Sequence, residues 1–204
     1  MPETAPGAAR SGSRRFPSFV DGLPITRRAL EFAATQHSGQ WREADHAPFI
    51  LHPLEVAHLL RGRGYPDYVV AAGVLHDVIE DTPAEFDELD RRFGREVADL
   101  VCAVSEPSRD GTFAERKARL RERVASASAD AAAVFAADKV AKVREMRMTL
   151  ARQVGVGARR PQPDPERLEH YGACLELLEQ RLGHHPLVRQ LRFELEALQL
   201  LPPE

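Results

Sequence analysis

The sequence predicts an all-α fold, a helical bundle built as one domain. Apolar residues recur at helical spacing along nearly the whole chain, strand-like alternation is scarce, and glycine and proline fall where helices stop and start. At 204 residues the chain is long enough to enclose a sizeable core.

Taken in order, residues 1–22 are rich in Pro, Gly, Ala, Ser and Arg and read as a disordered tail, with Phe16, Phe19 and Val20 as candidates for docking. The folded domain is expected over 23–204. Its first helix spans Leu23–His37, with Thr26 as the cap and Ala29, Leu30, Ala33 and Ala34 as the buried stripe. After a polar loop at 37–42, Pro53 suits the first position of a helix Leu54–Arg61 and leaves His52 at its cap. A central apolar helix follows from about Asp67. Thr82-Pro83-Ala84-Glu85 then has the form of a capping box opening a helix that ends at Phe93. Arg95–Val104, a charged helix Phe113–Ala125 and a long apolar helix Ala131–Ala151 capped by Asp130 come next. A mobile loop over about 152–165 precedes two closing helices, Glu166–Leu182 and Pro186–Leu200.

Composition excludes several classes. A net charge of −3 and a pI near 6.3 argue against a nucleic-acid surface. No apolar run reaches membrane-spanning length, and the N-terminal residues lack the apolar segment expected of a signal peptide. Cys102 and Cys174 stand alone in apolar helical contexts and read as small core residues, which suits a reducing cytoplasm. A homo-oligomer is compatible with the apolar spacing of Leu187, Leu191, Leu195 and Leu198.

Two stretches conflict with a plain core. The run Ala71 to Ile79 carries His76 and Asp77, followed at once by Glu80 and Asp81. On a continuous helix, counting from His76, Glu80 lies near 40°, Asp77 near 100° and Asp81 near 140°, opposite an apolar arc. Charges of one sign beside a core are costly, and a divalent cation is the simplest remedy. The second stretch is Ala133 to Ala141, which buries Asp138 among apolar residues. Lys142, at i+4, is one candidate partner; a metal is the other, favoured once a His-Asp pair is waiting elsewhere. Collected in order, His52, His76, Asp77 and Asp138 offer two imidazoles and two carboxylates, a set suited to a divalent transition ion.

These residues resemble the metal-binding pattern of the HD superfamily of phosphohydrolases. The resemblance extends to His37-Ser-Gly-Gln-Trp-Arg42, Pro48-Phe-Ile-Leu-His-Pro-Leu-Glu-Val-Ala57, Leu75-His-Asp-Val-Ile-Glu-Asp-Thr82, Phe93 to Val101 and Ala137-Asp-Lys-Val140. These segments are similar to the hydrolase domain of RelA/SpoT proteins, and most to single-domain small alarmone hydrolases. The resemblance implies an HD-type bundle that uses Mn²⁺ to remove the 3′-pyrophosphate from guanosine tetra- or pentaphosphate. It implies His52, His76, Asp77 and Asp138 as metal ligands, Glu80 and Asp81 as the pair that activates water, and Arg42 near the nucleotide. For the phosphates, Lys139 and Lys142 add candidate cations; on helical spacing Arg144 and Arg147 face elsewhere. One departure stands out: Lys142 replaces the family's usual asparagine, and Ser105 replaces a threonine more mildly. The rival readings are an HD hydrolase of another phosphorylated nucleotide, such as a nucleoside monophosphate or NADPH, and a nucleotide-sensing domain without turnover.

Overall fold

The computed structural model describes residues 16–152 and 163–200. Among these, ten α-helices and one short 3-10 turn carry the architecture, and the β-pairing they show is an isolated bridge between Trp41 and Pro48. The all-α expectation holds.

Two helices form the centre. α3 (Asp67–Leu75) is buried without a break from Val69 to Leu75, and packs against α1 (Pro24–Gln36), α2 (Leu51–Arg61), α6 (Arg95–Val104) and α8 (Ala129–Arg152). α8 is buried from Ala131 to Ala141, and its alanines let neighbouring helices come close. α9 (Pro165–Leu182) and α10 (Pro186–Gln199) cover α8, and α7 (Phe113–Ser126) bridges α6 and α9. α4 (Val78–Asp81) continues from the end of α3, and α5 (Phe86–Phe93) packs on α6. Close approach of α2 and α3 depends on Gly73. A Cβ there would lie 2.5 Å from Leu60 Cδ1 and 3.3 Å from Val56 Cγ1.

Several boundaries differ from the sequence expectation, each for a local reason. Thr26 does not cap α1; it is buried within the first turn. The cap is Asp67, whose carboxylate accepts from the backbone N–H of Ile25 and of Thr26, both at 2.8 Å, and from the Thr26 hydroxyl at 2.7 Å. α2 begins at Leu51, so His52 lies in its first turn rather than at its cap. The central helix is not continuous. It ends at Leu75, and Asp77 at φ −93°, ψ −5° sits at the N-cap of α4. The capping box at Thr82 does not form. The Thr82 hydroxyl donates back to the Val78 carbonyl at 2.7 Å, and α5 starts only at Phe86. A reciprocal box forms instead at Thr112 and Glu115, opening α7. Asp130 lies inside the first turn of α8 and accepts from the Tyr68 hydroxyl at 2.6 Å, which pushes that phenol up to about 12.

The expected tail needs its own correction. Residues 1–15 lie outside the described residues, but Ser18–Val20 forms the 3-10 turn and Val20 is only 1% exposed, so the packed body starts before residue 23. Of the loop expected over about 152–165, only the two ends are described. Arg152 closes α8, Pro165 opens α9 behind an Asp164 cap, and 153–162 lie outside the described residues.

Because Asp67 satisfies two otherwise orphaned N–H groups, Asp67→Ala should cost about 1–2 kcal/mol. Urea denaturation should show a lower midpoint with an unchanged slope.

Candidate metal centre

Segments far apart in sequence deliver four donors to one spot. His52 comes from the first turn of α2, His76 and Asp77 from the break between α3 and α4, and Asp138 from the middle of α8. None is more than 5% exposed. His52 Nε2 lies 3.2 Å from His76 Nε2, 3.1 Å from Asp138 Oδ1 and 3.4 Å from Asp77 Oδ2. His76 Nε2 lies 3.1 Å from Asp77 Oδ2 and 3.4 Å from Asp138 Oδ1. His52, His76 and Asp138 form a mutually close trio, and Asp77 joins it through both histidines.

These spacings are those of ligands around one ion. Donors about 2.1 Å from a common metal stand roughly 3.0 Å apart at right angles and about 3.4 Å apart at tetrahedral angles. The two imidazole nitrogens are close enough to share one proton as a hydrogen bond, and equally to share one divalent ion. The His76 ring is also oriented for the task. Its Nδ1 donates to the Gly73 carbonyl at 2.8 Å, which leaves Nε2 to face the cluster.

The local field favours charge despite burial. Burial pulls His76 down, but Asp77 and Asp138 outweigh it and raise the imidazole to about 10. Burial pushes both carboxyls up, yet His76 and Lys142 hold Asp77 well below the usual range, as Lys139 and Lys142 do Asp138. His52 is lowered, by burial first and by Lys142.

The acidic pair flanks this cluster on α4. Glu80 is partly buried, its Oε1 accepts from the Glu106 backbone N–H at 2.7 Å, and burial followed by the Asp77 charge raises it. Asp81 is exposed, is raised by the same two causes, and lines a cavity of about 840 Å³ that reaches His52. The loop at 37–49 is fastened to this corner. His37 Nδ1 pairs with Gln40 Oε1 at 2.7 Å, and Gln40 Nε2 donates to the Asp81 carbonyl at 2.9 Å.

The three expected substrate cations are placed very differently. Lys142 lines the cavity, its Nζ 3.1 Å from Asp138 Oδ1 and 3.6 Å from Asp77 Oδ1. Arg42 lines it too, but its guanidinium is forked onto Asp45 at 3.1 and 2.6 Å and lies 3.5 Å from Glu145. Arg42 thus stands at the cavity wall with its charge matched by Asp45 and Glu145. Lys139 needs a correction. It is 3% exposed, bonds Asp138 Oδ2 at 2.5 Å and lies 4.4 Å from the Phe135 ring centre, away from the cavity wall. Arg144 and Arg147 face Glu194, as the helical count expects. Arg109, by contrast, has no signal in the sequence. From an irregular loop it donates to the Glu80 carbonyl and reaches within 3.8 Å of Asp81.

Residues 29–157 match a family model described as an HD domain. The chain belongs to the HD-domain family. Among curated relatives, this HD-domain protein is 41% identical over 87 residues to a Myxococcus xanthus protein named GTP pyrophosphokinase. It is 42% identical over 86 residues to a Spiroplasma citri guanosine-3′,5′-bis(diphosphate) 3′-pyrophosphohydrolase. Those alignments cover 43% and 42% of this chain but 11% of each relative, so the chain spans about a tenth of their length. Among solved structures it resembles a metazoan ortholog of SpoT, described as hydrolysing ppGpp. The TM-score is 0.70 at 25% identity, covering 92% of this chain and 99% of that one. No helix among the described residues is long and apolar enough to cross a membrane.

Asp138→Ala should destabilise the protein even in EDTA, because it leaves the buried Lys139 ammonium without its carboxylate. Losses of this kind run about 3–5 kcal/mol. Chemical denaturation in chelator measures it, and a loss below about 1 kcal/mol would contradict the pairing described.

Proposed function

We propose that the chain is a Mn²⁺-dependent phosphohydrolase that releases pyrophosphate from the 3′ position of guanosine tetra- or pentaphosphate. The observation that carries this reading is the convergence of His52, His76, Asp77 and Asp138 beside the α4 carboxylates Glu80 and Asp81, with His52 and Asp81 opening onto the cavity. A metal-holding structural site has no need of the last two carboxylates. The relative from Spiroplasma citri is named for this 3′-pyrophosphohydrolase reaction and the metazoan SpoT ortholog is described as hydrolysing ppGpp, which supports the substrate class.

Four residues would hold the ion: His52, His76, Asp77 and Asp138. When bound, it lowers the pKa of a coordinated water and polarises a phosphoryl oxygen. The remaining work belongs to the chain. Glu80, raised by burial and by Asp77, is a stronger base than an exposed carboxylate and is suited to take the water's proton, and the Glu106 N–H fixes its carboxylate. Asp81 faces the cavity, where it orients the attacking water. Lys142 and Arg109 bring positive charge to the same wall for phosphate oxygens. Trp41, 62% exposed, adds an aromatic face for a purine to stack on.

The test is a substrate panel with purified, Mn²⁺-loaded protein, separating pyrophosphate from phosphate release. Guanosine tetraphosphate should be cleaved to pyrophosphate and a guanosine diphosphate, in preference to NADPH and nucleoside monophosphates. Intact tetraphosphate beside turnover of another nucleotide would replace the alarmone reading with the broader phosphohydrolase one. Glu80→Gln and Asp81→Asn should each retain bound metal and lose about 10²-fold or more in kcat. Metal analysis and initial rates decide it, and near-wild-type rates in both variants would remove the pair from the mechanism.

A further inference from the structure

The two carboxylates at the centre already face a full complement of positive charge. Asp138 presents Oδ2 to Lys139 at 2.5 Å and Oδ1 to Lys142 at 3.1 Å; Asp77 presents Oδ1 to Lys142 at 3.6 Å. Two aspartates and two lysines sum to zero before any dication is counted. Asp138 Oδ1 is also the oxygen that approaches both histidine Nε2 atoms, at 3.1 and 3.4 Å. An ammonium and a divalent ion therefore draw on the same atom.

The two lysines are not equivalent. Lys139 is enclosed behind Asp138, bonded to the oxygen that faces away from the histidines and seated near the Phe135 ring. Lys142 stands one helical turn on, its side chain 35% exposed, on a flexible four-carbon stem at the cavity wall. One lysine is a fixed counter-charge and the other has somewhere to go.

We propose that Lys142 is a built-in rival of the divalent ion: its ammonium pairs with Asp77 and Asp138 until a dication takes their oxygens, and is then released toward the cavity. Metal loading and the positive charge offered to an anionic substrate are thereby linked through one side chain. The inference rests on the four donors being a metal centre, and its test separates the two.

The probe is Mn²⁺ alone, titrated by calorimetry into chelator-stripped wild-type protein and Lys142→Met, which keeps the length of the side chain and removes its charge. The variant should bind Mn²⁺ about tenfold tighter or more, the factor that about 1.4 kcal/mol of relieved competition gives. Its melting temperature should fall below wild type in EDTA, where two carboxylates lose a counter-ion. In saturating Mn²⁺ the gap should close or reverse, because the ion stabilises the variant more. A purely structural lysine would lower both temperatures alike, and that result overturns the proposal. Lys142→Gln makes the same comparison where the methionine variant fails to fold. In wild-type protein, amine-reactive labelling of Lys142, read by mass spectrometry, should rise on Mn²⁺ addition; unchanged labelling overturns release. Should wild type bind Mn²⁺ with the variant no tighter, this inference alone falls. Should neither protein bind Mn²⁺, the metal centre falls with it.

Discussion

Asp138 is a carboxylate 4% exposed, in a helix whose neighbouring residues, Lys139 and Lys142 apart, are alanine, valine and phenylalanine. Left alone, it would take up a proton or unfold the segment around it. Much of the surrounding architecture answers that one charge. Lys139 folds back along its own helix to meet one oxygen, while two imidazoles from α2 and from the end of α3 close on the other. α3 and α8, the two helices most completely buried, are therefore joined by polar contacts at the centre of an apolar body. Breaking one partner leaves the rest uncompensated, which makes the cluster a constraint on packing as much as a site for chemistry.

The cavity side is held by weaker but more numerous bonds. Gln40 spans from the His37 ring to the Asp81 carbonyl, and its own carbonyl accepts from the Phe49 N–H at 3.0 Å. Three residues after Phe49 stands His52. One glutamine thus fixes the end of α4, which bears the acidic pair, relative to the start of α2, which bears a cluster histidine. The arginine two residues on belongs to the same frame, matched to Asp45 and Glu145 rather than left open.

The chemistry was more legible in the sequence than the geometry around it. A carboxylate inside Ala133–Ala141 and a His-Asp pair inside an apolar run violate the helical pattern, and such violations are visible without coordinates. His52, His76, Asp77 and Asp138 do meet. Helix ends were harder, because their partners were distant or competing. Asp67 caps α1 from 41 positions away, and Thr82 spends its hydroxyl on Val78 instead of opening the next helix. The break at His76 escaped a 100° count, which assumes a continuous helix; there the His76 imidazole, not the next turn alone, bonds the Gly73 carbonyl. Lys139 shows the limit of angular reasoning. Its angle beside Asp138 suggested an outward cation, but a long side chain can bend inward when a carboxylate and an aromatic ring wait there.

Gly73 joins two quantities that have no chemical reason to be related. Its missing side chain sets how near α2 comes to α3, and its carbonyl sets which way the His76 ring turns. The separation of the two histidines and the tautomer of one of them are thus inherited from a single residue. They are nevertheless separable, because the carbonyl and the ring it orients ride on the same segment. A side chain added at this position would meet Leu60 and Val56 and push α2 outward, carrying His52 with it, while His76 kept its bearing. The span between the two rings is thus open to change at a fixed orientation of one of them.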